Sequence, residues 1–183
     1  MTHRVLISLS LFLSLVDLFL GHSSAFNAIE SYPNNPDLLL SSLNLIKELC
    51  VINGNIARGV IKMDGIKVLL KVMDYNSDFG IIQIAACNVV GLLVAVLEGR
   101  DSVKFVPKLA RAIIAAMKNH SDVPELQIQA CDALYELSQM SAARGVLTER
   151  TTQELLRKVK RQSKPCQSDI DSIFATCKQY LPT

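Results

Sequence analysis

Residues 55–97 read NIARGVIKMDGIKVLLKVMDYNSDFGIIQIAACNVVGLLVAVL. The pattern predicts a short helix, a longer helix and a third helix, divided at Asp64-Gly65 and around Asn76-Ser77-Asp78. Neither long helix has a fully polar face, so neither can stand alone in water. Ile84, Cys87, Val90 and Leu93–Val94 recur at helical spacing and are expected to face a shared core. The glycine is expected to let the chain turn sharply without a Cβ clash. Asn76-Ser77-Asp78 are expected to supply turn and capping oxygens for the third helix.

The unit needs copies of itself on both sides, and the chain carries them. At an offset of 44 residues Met73 meets Met117, Leu69-Leu70 meets Ile113-Ile114, Ser77-Asp78 meets Ser121-Asp122, Gln83-Ile84 meets Gln127-Ile128, and Ala86-Cys87 meets Ala130-Cys131. Backwards by 44, Val60 meets Val16, Gly65 meets Gly21 and Met73 meets Ile29. At an offset of 86, Ala57-Arg58-Gly59-Val60-Ile61 meets Ala143-Arg144-Gly145-Val146-Leu147. A period of roughly 40–47 residues with two or three helices per unit is that of armadillo and HEAT arrays. Arg58-Gly59-Val60, Asp64-Gly65-Ile66, Leu69-Leu70 and the Ile82-Gln83 pair before Ala85-Ala86 resemble the armadillo repeat. The likeness runs from about Val16 to Tyr180 and is strongest in the second repeat. It implies an all-α chain: a right-handed α-α superhelix, an armadillo-like solenoid of about 3.5 repeats.

Composition agrees with this expectation. Half of the 183 residues are apolar, aromatics make up 5%, and tryptophan is absent, which suits an aliphatic helix-on-helix core. Strand signals are poor: Asn53-Gly54 joins helical patterns, not alternating ones. A net charge of +2 is too small to point to nucleic acid. Cys50, Cys87, Cys131, Cys166 and Cys177 form no CxxC pair and have no histidine at zinc-ligand spacing. Cys87 and Cys131 share a repeat position among core alanines and read as small buried hydrophobes. A Cys166–Cys177 disulfide is conceivable only in an oxidising compartment.

Two domains are expected: an apolar leader over 1–25 and a helical repeat domain over 26–183. Arg4 precedes a run from Val5 to Val16, and Gly21-His22-Ser23-Ser24-Ala25 follows. This resembles a secretory signal peptide cleaved after Ala25. It is short for a stable membrane span and carries Asp17. The repeat register competes with that reading, because a cut at Ala25 would remove part of a first repeat, with Leu6–Leu15 a helix of an incomplete one. The expected location is cytoplasmic, with secretion or residence in the endoplasmic reticulum as the alternative.

Taken in order, Phe26–Ser31 should complete the first repeat's second helix, and Tyr32–Asp37 should form a loop in which Asp37 caps a helix over Leu38–Cys50. In the third repeat Ser102–Val106 should be the short helix, Pro107 should open Lys108–Lys118, and Leu126–Met140 should follow. The fourth repeat takes Ala143–Leu147, Thr152–Arg161 and Ser168–Tyr180. Its last helix is polar enough to end an array.

The chain shows no phosphate loop, nucleophile elbow or metalloprotease motif, and its carboxylates are scattered singly. The expectation is a non-enzyme with no cofactor and no metal. His120 reads as a solvated turn residue. In armadillo relatives that bind nuclear-import peptides, the third helix carries tryptophan and, four residues later, asparagine. The tryptophan position here reads Asn44, Asn88, Asp132 and Phe174. The asparagine position reads Glu48, Leu92, Glu136 and Lys178. That ladder is missing, which argues against an importin-like receptor. Asn44, Glu48, Asn88, Asp132 and Glu136 should instead line successive rungs of a partner-binding groove, one that suits a protein or extended peptide with basic residues. A merely solvated helix face is the competing reading. Arg157-Lys158-Val159-Lys160-Arg161 with Lys164 is either an anionic-surface or nuclear-localisation patch, or a solvated helix end. Oligomeric state is left open, as is membership of a longer array.

Overall fold

The computed structural model describes residues 21, 23–97 and 99–178. Residues 1–20, with most of the leader and the register match at Val16, lie outside it, as do His22 and Tyr180. All regular structure among the described residues is helical: α1 (23–31), α2 (Pro36–Ile52), α3 (Gly54–Lys62), α4 (Gly65–Tyr75), α5 (Gly80–Val94), α6 (Gly99–Asn119), α7 (Pro124–Ser138), a 3-10 turn (Ser141–Ala143), α8 (Arg144–Leu147), α9 (Arg150–Gln162) and α10 (Gln167–Lys178).

Residues 55–97 divide where the sequence says, but the two breaks work differently from expectation. At the first, the left-handed residue is Asp64, with φ of +58°, and not the glycine. Aspartate tolerates that region better than most residues. Gly65 is needed for space: a Cβ there would stand 2.6 Å from the Val60 carbonyl oxygen and 2.8 Å from Phe26 Cζ. At the second break, Phe79 is the N-cap of α5 and no side chain caps that helix. Asn76, Ser77 and Asp78 therefore supply no side-chain cap, although the Asn76 carbonyl closes the turn by accepting from the Phe79 N–H at 3.1 Å. The polar work falls to Gln83 inside α5. Its Nε2 donates to the carbonyls of Met73 (2.9 Å) and Asn76 (2.8 Å), closing the C-terminal end of α4. Gln127 in α7 does the same for α6, donating to Met117 (3.1 Å) and His120 (2.9 Å). The Gln-Ile match at an offset of 44 is thus a repeated staple between second and third helices.

Other expectations shift by a few residues. Asn35, not Asp37, caps α2, with Oδ1 accepting from the Leu38 N–H at 3.1 Å. Pro36 occupies the first turn, where its missing N–H costs nothing. In the third repeat the short and long helices fuse into α6, with Pro107 inside it. No residue there can take the role of Asp64: the positions 44 further on are Lys108 and Leu109. The fixed φ of proline is compatible with a helix, and the carbonyl it orphans belongs to exposed Val103. His120 is half-buried, with Nε2 donating to the Ser77 carbonyl at 2.7 Å, so it links the turn after α6 to the turn after α4 and is no solvated turn residue.

The helices pack in two layers. One is a row in which α2 lies on α5, α5 on α7 and α7 on α10; in the other, α4 lies beside α6. α4 backs α5, α6 backs α7 and α9 backs α10. One continuous apolar core runs from Ala25 to Cys177. At its centre α5 buries Ile82, Ala85, Ala86, Cys87, Val89, Val90, Leu93 and Val94, leaving Ile84 half-buried. Each large aliphatic side chain withdrawn there stabilises by about 1.5–3 kcal/mol. Ala86 and Ala130 are fully buried, and a methyl on Gly91 would lie 3.9 Å from Ala133 Cα, so the third helices approach closely.

Replacing Gln83 with leucine keeps the bulk and removes the donor, stranding the Met73 and Asn76 carbonyls. Urea unfolding of Gln83→Leu should show a loss of about 1–3 kcal/mol. Unchanged stability would mean that the staple does not hold α4 to α5.

Candidate functional site

A cleft of about 420 Å³ crosses the row of third helices. α2 contributes Lys47 and Val51, α5 contributes Asn88, Gly91 and Leu92, α7 contributes Asp132, Ala133 and Glu136, and α10 contributes Asp169. Each arrives for a local reason. Asn88 follows Cys87 on the flank of α5 left over once Ala86, Val89 and Val90 face the core. Asp132 and Glu136 are one helical turn apart and share a face. Gly91 and Ala133 make the floor low where α5 meets α7.

Three of the five expected groove residues, Asn88, Asp132 and Glu136, therefore come together. Asn44 and Glu48 do not join them: both are exposed on α2 but neither lines the cleft. The α2 residue that does is Lys47, whose Nζ lies 3.1 Å from Glu48 Oε1. The neighbour of Lys47 on the α2 rung is thus partly neutralised. Asp169 was not expected. The signal for it is weak, since α10 departs from the 44-residue register, and only its contact with α7 brings Asp169 to Asp132. Phe174 is half-buried and stacks on the Arg157 guanidinium, 5.7 Å away.

The electrostatics centre on the α7–α10 junction. Burial pushes the Asp132 carboxyl above its usual range, and the hydrogen bond and charge of the Asp169 carboxyl push it further. A cation entering the cleft would offset the repulsion between the two carboxylates. Beneath them Cys131 and Cys166 are buried side by side, and burial followed by the neighbouring sulfur raises the Cys131 thiol far above normal.

All five cysteines are buried free thiols, including Cys166 and Cys177. Burial lifts Cys50 to about 11 and Cys87 to about 12. Cys87 and Cys131 behave as the small buried hydrophobes expected. Among the described residues no group of three His, Cys, Asp or Glu is placed to hold a metal ion, and no helix is long and apolar enough to cross a membrane. Of the basic run, Arg157, Lys158, Arg161 and Lys164 are exposed, Val159 is buried, and Lys160 pairs with Asp171. The chain matches no protein-family model, and no curated protein or solved structure matches it.

Two outcomes follow from these shifts. Asp132 has a folded-state pKa above its ordinary 3.8, so folding favours its neutral form. Its contribution is fully present below 3.8 and is lost as pH rises through the raised value. Asp132→Asn should therefore stabilise the fold at neutral pH and have little effect near pH 3.8, as read by urea unfolding at both. Equal effects at the two pH values would contradict the shift. Thiol reagents at about pH 8 should leave the native cysteines unlabelled and modify them in urea.

Proposed function

We propose that this chain is a non-enzymatic protein-binding scaffold, an armadillo-like right-handed α-α superhelix of about three and a half repeats. Its row of third helices holds an extended partner segment carrying basic residues. The observation that carries this reading is the cleft across α2, α5, α7 and α10, where Asp132, Glu136 and Asp169 converge beside the amide of Asn88. An arginine or lysine side chain of the partner would lie between α7 and α10, its charge offsetting the repulsion between Asp132 and Asp169. Successive third helices sit ~10 Å apart, so an extended strand can touch several of them. Asn44 and Glu48 would extend the track along α2, while Lys47 disfavours a second cation at that end.

The cytoplasm is the proposed compartment. Ala25 and Phe26 are 4% and 2% exposed, and Phe26 packs against Gly65. Cleavage between them would create a charged amino terminus in a buried position, at a high desolvation cost. The five buried thiols suit a reducing milieu as well. The secreted reading keeps the support of its leader-like sequence, and N-terminal sequencing that begins at Phe26 would establish it.

The groove is tested with a labelled extended peptide of alternating arginine and small residues, titrated against the full chain by fluorescence anisotropy. Asp132→Lys combined with Glu136→Lys should weaken binding by about tenfold or more. Failure of the peptide to bind, or indifference of its affinity to this double reversal, would remove the groove from consideration.

A further inference from the structure

The two layers carry opposite charge. The third helices α2, α5, α7 and α10 hold seven Asp/Glu and two Lys/Arg. The helices α4, α6 and α9 behind them hold three Asp/Glu and twelve Lys/Arg. A net charge of only +2 conceals this division, because the acidic layer offsets much of the basic one. Several cations of the basic layer have partners: Lys67 with Asp64, Arg111 with Glu149, and Arg150 with Glu154. Lys71, Lys108 and Lys118 are exposed and have no carboxylate partner among the described residues.

Between α4 and α6 this layer opens into a cleft of about 620 Å³, larger than the one across the third helices. Its walls are apolar and small: Leu70 and Met73 on α4 face Ala112, Ala115 and Ala116 on α6. Lys71 and Lys108 stand at the rim on opposite sides, with Asp74 one turn from Lys71. At its inner end is Gln83, 1% exposed, whose two amide protons are already committed to the Met73 and Asn76 carbonyls. What remains of that side chain for the cleft is an acceptor oxygen.

We propose that this cleft is a second docking site, independent of the acidic groove, and that its occupant is an acidic amphipathic segment of a partner protein. An apolar side chain of the segment would enter between Ala112 and Met73 while flanking carboxylates pair with Lys71 and Lys108. Concavity favours this occupant over a bilayer. Membrane binding rewards apolar groups that protrude between cations, whereas here the apolar atoms lie at the bottom of a trench. Charge favours it over a basic or neutral partner, since the surrounding helix α6 adds Lys104 and Lys118 and would speed encounter with an acidic chain. The same chain would thus accept segments of opposite charge on opposite layers, without competition between them.

The test uses the full chain and three probes: a labelled peptide with leucines at helical spacing among glutamates, labelled polyglutamate, and phosphatidylserine vesicles. The leucine–glutamate peptide should bind, and polyglutamate should bind at least about tenfold more weakly because it cannot fill the cleft. Lys71→Glu with Lys108→Glu should weaken peptide binding by about tenfold, whereas Lys118→Glu, outside the cleft lining, should change it by less than about threefold. Ala115→Trp, at an exposed position, should block the peptide while leaving the circular dichroism of the chain unchanged. Each of four results would overturn the proposal: no peptide binding, equal affinity for polyglutamate, indifference to Ala115→Trp, or binding of vesicles but not of peptide.

Discussion

Helix α5 has only a narrow strip, around Asn88 and Gly91, that meets solvent. Ile82, Ala85, Ala86, Cys87, Val89, Val90, Leu93 and Val94 occupy the rest of its circumference and all are buried. A helix this apolar exists only if it is largely covered, and here α2, α4 and α7 cover it. The requirement passes along the row: covering α5 leaves α7 needing a further neighbour, and α10 supplies it. α10 is the least apolar of the row: it buries Ile170, Ile173 and Cys177 and turns Ser168, Asp171 and Lys178 outward. At the opposite end α2 still exposes Leu45, Val51 and Ile52.

Close helix packing leaves the turns between layers with little room, and that explains their chemistry. The last carbonyls of α4 and α6 end near the core, where unpaired polar groups are costly. The short Asn76 side chain reaches back only to the Val72 carbonyl, at 3.0 Å, and leaves those of Met73 and Asn76. A glutamine one turn into the following helix can reach them, and Gln83 and Gln127 occupy equivalent positions in α5 and α7. The last pair of helices departs from this device. There Gln167 at the start of α10 donates to the Lys160 carbonyl at 3.2 Å, and Asp171 pairs with the Lys160 ammonium. This junction is more exposed, so a surface ion pair does what a buried amide does elsewhere.

Separation of charge between the layers follows from the same architecture. Third helices turn their small and apolar residues toward one another and have few places for long side chains, so their polar groups are mainly short acids and amides. The helices behind them have one broad wet face each, and Lys and Arg occupy it, covering apolar surface with their stems. The two clefts therefore offer different chemistry: carboxylates over a narrow floor across α5 and α7, and ammonium groups over an apolar trench between α4 and α6. Both proposals draw on this contrast, one for a basic segment and one for an acidic segment.

The sequence by itself determined that the chain is helical and where most of its helices lie, because apolar periodicity is local and survives reading along one dimension. It also determined that Cys87 and Cys131 would be interior and that Asn88, Asp132 and Glu136 would share a face. Tertiary structure alone decided which polar groups meet. Gln83 and Gln127 recur at an offset of 44, but the carbonyls they hold, the His120 bond to Ser77 and the convergence of Asp169 on Asp132 are fixed only by how the helices pack. The fused helix α6 shows the same limit from the other side: proline at 107 permits a break or a continuous helix, and only the absence of a neighbouring left-handed residue chose between them. Spacing along a chain dictates what a helix must bury, but direction and distance between helices dictate what its remaining side chains can touch.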